Sequence, residues 1–75
     1  MEFVRIRNLR EDKDLYQKDI AKLLEISQQY YSEYETGKRT IPLIHLIKLA
    51  QFYNVSLDYL VGLTDISKPY SRKNS

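Results

Sequence analysis

The sequence predicts an all-α fold in which five short helices pack into one compact domain. Apolar residues recur three or four positions apart along most of the chain, which is the spacing of a helix face. Serine and glycine residues stand where such helices would begin and end. The chain has 75 residues and no cysteine, so apolar packing must hold the fold together without disulfides.

The first helix is expected to run from about Glu2 to Asp12. Phe3, Ile6 and Leu9 fall on one side of this helix, so these side chains are expected to face inward. Leu15 is then expected to pack against them from the connection that leads to the second helix.

The next two helices are predicted to be short and to meet at a turn formed by residues 25–27. The second helix spans Gln17 to Leu24 and the third spans Gln28 to Thr36. Ser27 can cap the third helix through its hydroxyl, and Gly37 is free to take the positive φ that closes it. The apolar faces of the two helices consist of Ile20, Ala21, Leu24, Tyr31 and Tyr34.

The last two helices are predicted from the same kinds of evidence, namely capping residues and apolar spacing. The fourth helix has Pro42 in its first turn and runs to about Tyr53, and Ser56 caps a fifth helix that ends near Val61 before Gly62. We expect the fourth helix to bury a stripe made of Leu43, Leu46, Ile47, Leu49 and Ala50.

The end of the chain has a different composition. Residues 1–66 are expected to form the domain and residues 67–75 a flexible basic tail. The net charge of +2 is small, so the distribution of charge matters more than its sum. Positive charge is concentrated after the third helix and in the tail, at Lys38, Arg39, Lys68, Arg72 and Lys73.

The third helix carries a polar face. With about 100° between successive residues, five of its side chains fill one continuous arc, opposite the tyrosines and Glu35. All five can form hydrogen bonds and none is bulky and apolar. The arc consists of Gln28, Gln29, Ser32, Glu33 and Thr36.

These features resemble the helix-turn-helix of the lambda-repressor-like family of DNA-binding proteins, also called Cro-type or XRE. The similarity covers residues 5 to 62 and includes the flanking segments IRNLREDKD, GKRTIP and LIKLAQFYNVSLDYLVG. Ala21 matches the small residue at the helix contact. The apolar positions of the motif are matched by Ile20, Leu24, Ile26, Tyr31 and Tyr34.

The resemblance implies that the start of the third helix reads bases. A glutamine amide both donates and accepts, so Gln28 and Gln29 can bind the major-groove edge of adenine with two bonds, and guanine through its acceptors. Ser32 can contact a base edge or a phosphate. Glu33 can accept a hydrogen bond from the amino group of cytosine, or it can lie in water at the edge of the interface.

Contacts to the DNA backbone are expected around this helix. The family uses the position of Gln17, where free N–H groups at a helix start favour a phosphate. Tyr30 could contact the DNA or lie half-buried against the core. The loop after the third helix resembles a phosphate clamp, although such charges are often only solvated. The remaining candidates are Thr36, Lys38, Arg39 and Thr40.

Arg10 and Glu35 are better interpreted as structural. The family pairs an arginine with a glutamate across the first and third helices at these positions. Glu35 lies on the inward side of its helix, where an isolated carboxylate would be costly. A bidentate bond from arginine would explain its presence there.

Four positions depart from the family pattern. Tyr16 replaces the usual serine or threonine cap before the second helix, so that cap must be lost or replaced. Asp14 and Glu25 stand where glycine is frequent, and a positive φ would suit Asp14 better than Glu25. Tyr31 is larger than the usual β-branched residue, so the helix crossing must open or repack.

The sequence gives no support to enzymatic activity. One histidine and no cysteine exclude a multi-histidine or cysteine-ligated metal site, and His45 has no evident partner on its helix. We expect no cofactor and no small-molecule ligand. The chain starts at Met1 without a long apolar run, so neither a signal peptide nor a membrane span is expected.

The sequence therefore predicts a DNA-binding transcriptional regulator, specifically a repressor, in the cytoplasm of a bacterium or phage host and associated with the nucleoid. It would place its third helix in the major groove as a homodimer on a palindromic operator. The alternative is a protein-interaction module of the same fold without DNA binding. The dimer surface expected from the resemblance comprises Leu57, Leu60, Val61, Leu63 and Ile66.

Overall fold

The computed structural model describes residues 4–68, and the part described is entirely helical. The five-helix fold class is therefore confirmed. The second and third helices have the bounds that the sequence predicts, whereas Glu2 and Phe3 lie outside the described residues. The helices are α1 (Val4–Asp12), α2 (Gln17–Leu24), α3 (Gln28–Thr36), α4 (Leu43–Tyr53) and α5 (Leu57–Leu60).

Three helices end in the same left-handed closure, and none of them uses glycine for it. Asp14, Glu25 and Asn54 follow α1, α2 and α4 with φ values of 57°, 60° and 58°. After α2, the Ile26 N–H donates to the Ala21 carbonyl at 2.9 Å and the Glu25 N–H to that of Lys22 at 3.1 Å. This is the bond pair of a Schellman motif, which explains why positive φ is required there.

The start of α2 lacks a side-chain cap from Tyr16 and is capped instead by a carboxylate in its own first turn. The Tyr16 side chain forms no cap hydrogen bond, and its ring is 68% exposed. Instead, the Asp19 carboxylate accepts from the Tyr16 backbone N–H at 2.8 Å. A carboxylate in the first turn also suits the positive end of the helix dipole. The expected loss of the serine-type cap is thus partly compensated by Asp19.

The core lies where the helices meet. Its fully buried side chains come from all five helices, and Tyr31 and Tyr34 of α3 are core residues as expected. Apolar burial of this kind is the main stabilising contribution in a domain without disulfides. The largest of these side chains are Tyr31, Tyr34, Ile6, Ile20, Leu49 and Leu60.

The predicted apolar stripe of α4 is wrong at its first residue. Leu43 is 63% exposed and the next residue, Ile44, is 68% exposed. The buried face of α4 begins later, with Leu49 and Ala50, and continues to Tyr53. Leu43 shares the helical spacing of Leu46, which packs against the core, but the Leu43 side chain itself remains in solvent.

The segment after α5 is attached to α1, which the sequence does not predict. The Arg5 guanidinium donates to the carbonyl oxygens of Tyr59 (3.0 Å) and Thr64 and pairs with Asp65 at 2.6 Å. It also lies 4.1 Å above the Tyr59 ring. The Ser67 carbonyl accepts from the Ser56 N–H at 3.1 Å, so the chain stays hydrogen-bonded to the domain as far as Ser67. The rest of the expected tail, residues 69–75, lies outside the described residues.

Candidate nucleic-acid interface

The outward face of α3 is polar and accessible, as its periodicity predicts. Gln28, Gln29 and Thr36 are exposed, and Ser32 and Glu33 are partly exposed. The Ser27 hydroxyl accepts from the Tyr30 N–H at 3.0 Å and so caps the helix at the end that carries the glutamines. A polar arc on a capped helix is therefore available to a partner.

The opposite face of α3 is held by aromatic packing. The Tyr34 ring meets the rings of Tyr30 and Tyr31 edge to face, with centroids 5.5 Å and 6.3 Å away. The Tyr34 hydroxyl lies 3.0 Å from Nδ1 of His45, which gives this histidine a partner that its own helix does not provide. The large Tyr31 is accommodated with no exposed surface.

A buried polar cluster fixes α3 to the first two helices. Arg10 donates to both carboxylate oxygens of Glu35, from Nε at 2.8 Å and from Nη2 at 3.1 Å. The Tyr31 hydroxyl and the Gln17 amide also donate to this carboxylate. Arg10 further donates to the Leu15 carbonyl at 2.9 Å. Glu35 thus links α1, α2 and α3 at one point.

The charge state of Glu35 follows from this geometry. Burial alone would raise the pKa of the Glu35 carboxyl, since a carboxylate loses its hydration there. The hydrogen bonds from Arg10, Tyr31 and Gln17 outweigh burial and hold the pKa below its usual range. Glu35 is therefore ionised at neutral pH. The sequence suggested only the arginine partner, because Gln17 and Tyr31 reach Glu35 through tertiary packing.

The Gln17 side chain is already hydrogen-bonded within the protein, so it is not a free side chain awaiting a phosphate. Its side-chain N–H group donates to Glu35 at 3.1 Å, and the residue is only partly exposed. The bond orients the amide and ties the start of α2 to α3. A phosphate at this helix start would meet backbone N–H groups beside an already oriented glutamine.

A second polar cluster lies on the surface of α3. The Glu33 carboxylate accepts from Arg39 Nε at 2.8 Å and from the Gln29 amide at 3.4 Å. The Arg39 guanidinium lies 4.0 Å above the centre of the Tyr30 ring. The hydrogen bond from Arg39 is the main cause that lowers the pKa of Glu33. Helical periodicity alone does not predict this cluster, because it is the loop after α3 that brings Arg39 back to the helix.

The remaining backbone candidates lie on α3 and in the loop that follows it. Lys38 and Thr40 are exposed in the loop, and Tyr30 is 38% exposed. The Thr36 hydroxyl lies 3.4 Å from the Glu33 carbonyl, to which it donates. Arg39 therefore connects the loop after α3 to Tyr30 in the first turn of the helix.

The helices α2 and α3 are short and are joined by a tight turn. The outward face of α3 is polar and exposed, and its inward face is attached to the domain through Glu35. This arrangement defines a lambda-repressor-like helix-turn-helix domain. Residues 6–60 match the helix-turn-helix family. The chain belongs to this family, in its XRE type. Among residues 4–68, no helix has the length and apolar character needed to cross a bilayer.

Several known proteins are similar to the chain. It is 39% identical over 71 residues to the uncharacterized HTH-type transcriptional regulator YobD of Bacillus subtilis, covering 93% of this chain and 63% of YobD. It is 37% identical over 58 residues to the cryptic phage CTXphi transcriptional repressor RstR of Vibrio cholerae, covering 77% of this chain and 52% of RstR.

A solved structure has the same fold. The crystal structure of a transcriptional regulator from Listeria innocua superposes with a TM-score of 0.77 at 25% identity, covering 99% of this chain and 65% of that protein. The chain therefore spans between about half and two thirds of the length of these relatives.

Proposed function

We propose that this domain binds duplex DNA sequence-specifically and acts as a transcriptional regulator of the repressor type. The observation that carries the proposal is the division of α3 into an exposed polar arc and a face fixed by the Glu35 cluster. A rigid helix with exposed amides is what major-groove recognition requires. Similarity to proteins named as transcriptional regulators, one of them a repressor, supports the same function.

In this proposal the first turn of α3 reads base edges. Gln28 and Gln29 are exposed at the capped end of the helix, and each amide can donate and accept. Ser32 and Glu33 lie one turn further along the same arc. Each good bidentate contact would contribute about 1–3 kcal/mol of discrimination against the wrong base.

Contacts to phosphates would then set the register of the helix on the duplex. Lys38, Arg39 and Thr40 are exposed at one end of α3, with Tyr30 and Thr36 beside them. The start of α2, with Gln17 oriented by Glu35, would meet the backbone on the other side. Such contacts add affinity without sequence information and make binding depend on salt.

A homodimer on a palindromic operator is part of the proposal, because one module of this size makes few contacts. The residues of the expected dimer surface differ in exposure. Leu60 is 1% exposed and Leu57 packs against the core, so both serve the domain itself. Leu63 and Ile66 are 77% and 69% exposed and remain available for a second copy.

The alternative is an interaction module of the same fold without DNA binding, which the small net charge of +2 and the two glutamates of α3 favour. The pairing of both glutamates argues against it. Glu33 is paired with Arg39, and Glu35 is buried against Arg10, so neither carboxylate presents an uncompensated charge to DNA. A DNA-binding regulator of this kind would work at the nucleoid in the cytoplasm.

The decisive experiment measures binding of the chain to a random duplex at two salt concentrations, followed by selection from a random pool. A protein that displaces counterions from phosphates loses affinity steeply as salt rises. We expect a steep salt slope and a selected sequence with two-fold symmetry. Absence of binding at low salt would refute the proposal.

A further inference from the structure

We propose that Glu33 both positions its neighbours and presents a hydrogen-bond acceptor to the groove. It holds Arg39 on the Tyr30 ring and turns the Gln29 carbonyl oxygen outward, so that this part of α3 selects a base carrying an exocyclic amino group. The inference rests on the proposed function and specifies its base preference. This base preference cannot be assigned to a single residue of α3, because it depends on the loop that returns Arg39 to the helix.

The first step is the position of Arg39. Its Nε donates to Glu33 at 2.8 Å, and its backbone N–H donates to the Glu33 carbonyl at 3.2 Å. The Tyr30 ring supports the guanidinium from below at 4.0 Å. Two bonds and one stacking contact therefore keep a cation beside the Glu33 carboxylate, in place of a freely moving loop side chain.

The second step is the orientation of Gln29. An ionised carboxylate only accepts hydrogen bonds, so the Gln29 amide must turn its N–H group toward Glu33. The opposite orientation would place the amide oxygen against a carboxylate oxygen. The observed contact joins Gln29 Nε2 to Glu33 Oε2 at 3.4 Å. The carbonyl oxygen of the amide consequently points away from Glu33.

The base preference follows from the hydrogen-bond acceptors that this part of α3 presents. The Gln29 carbonyl oxygen and the Glu33 carboxylate together present hydrogen-bond acceptors at neighbouring positions of the arc. In the major groove, adenine N6 and cytosine N4 are donors, whereas guanine O6 and thymine O4 are acceptors. The pair of acceptors therefore favours adenine or cytosine over guanine or thymine at one position of one strand.

Arg39 makes this acceptor surface compatible with DNA. A bare carboxylate on α3 would be repelled by phosphates, and its removal from water would be costly. The Arg39 side chain is 45% exposed while it pairs with Glu33, so it can offset that charge and still face the backbone. Loss of Arg39 should therefore weaken binding by more than the loss of one phosphate contact.

The experiment compares selected sequences and affinities for the unaltered protein and four variants: Glu33→Gln, Arg39→Ala, the double variant, and Lys38→Ala as a control in the same loop. We expect the unaltered protein to prefer adenine or cytosine at one position of each half-site. Glu33→Gln adds a donor and should reduce that preference about tenfold. Lys38→Ala should lower affinity and leave the preference unchanged.

Arg39→Ala should weaken binding to every sequence more than Lys38→Ala does, and adding Glu33→Gln should restore part of the loss. NMR of the free protein gives an independent measure, since the Arg39 Nε–H signal should lose its protection from water in Glu33→Gln. Unchanged base preference in Glu33→Gln, or additive losses in the double variant, would overturn the inference while leaving DNA binding intact. Absence of DNA binding by the unaltered protein would instead overturn the proposed function.

Discussion

Removal of Arg10 offers the sharpest test of how α3 is held. Arg10→Ala would leave the Glu35 carboxylate, whose side chain is 3% exposed, without its bidentate cation. Breaking a buried pair from one side costs about 3–5 kcal/mol. The whole domain, at about 0.05–0.15 kcal/mol per residue, is stable by only about 4–11 kcal/mol. The variant should therefore be marginally folded.

Arg7→Ala is the matched control on the same helix. Arg7 approaches Glu11 at 3.7 Å, and both side chains are more than half exposed. Exposed pairs of this kind contribute little, so we expect a change below about 0.5 kcal/mol. Urea denaturation followed by far-UV circular dichroism measures both free energies of unfolding. A loss for Arg10→Ala within about 1 kcal/mol of the loss for Arg7→Ala would refute the reasoning.

The pH dependence distinguishes a charge effect from a simple loss of packing. In the unaltered protein the pKa of Glu35 is lowered, so its contribution is present above the ordinary carboxyl pKa and is lost as the pH falls through the folded value. In Arg10→Ala, burial should dominate and raise that pKa. Acidification from about pH 7 to about pH 5 should then stabilise the variant and leave the unaltered protein nearly unchanged. A variant that loses stability over this range would contradict the account.

The remaining predictions each change a single side chain. Glu25→Gly should stabilise the domain by about 0.5–1 kcal/mol in urea denaturation, because φ at this position is 60° and glycine adopts it without strain; an alanine variant should show no such gain. Tyr53→Phe should cost nothing or stabilise slightly, because the buried Tyr53 hydroxyl has no hydrogen-bond partner within residues 4–68. Tyr31→Phe should lose about 1.5–3 kcal/mol, since its hydroxyl donates to a charged carboxylate; equal losses for the two tyrosines would contradict this. Gln28→Ala should lower affinity for the selected site by about 1–3 kcal/mol with little effect on random DNA, whereas Lys38→Ala should weaken both and reduce the salt slope by about 1. Gel-shift titrations at several salt concentrations separate the last two, and an unchanged site preference in Gln28→Ala would remove its base-reading role.

The local features of the fold were predictable because their causes are local. The bounds of α2 and α3 follow from apolar spacing, from the Ser27 cap and from Gly37, all of which act within a few residues. The left-handed closures at Asp14 and Glu25 were suggested by the positions at which the family prefers glycine. The polar arc of α3 required only helical geometry.

Contacts between distant parts of the chain were not predictable in the same way. Arg5 binds carbonyl groups 54 and 59 residues further along, and its sequence position gives no sign of this. Leu43 has the spacing of a core residue and is exposed, because spacing assigns a side chain to a helix face, whereas burial also requires other elements to pack over that face.

The sequence by itself determined that the chain is helical, where its motif lies, and which side of α3 is polar. Only the tertiary structure decided how the polar residues are paired: Gln17 and Tyr31 with Glu35, and Arg39 with Glu33 across the loop. The physical reason is that helical periodicity assigns each side chain to a face, whereas hydrogen bonds depend on distances that exist only once the helices have packed.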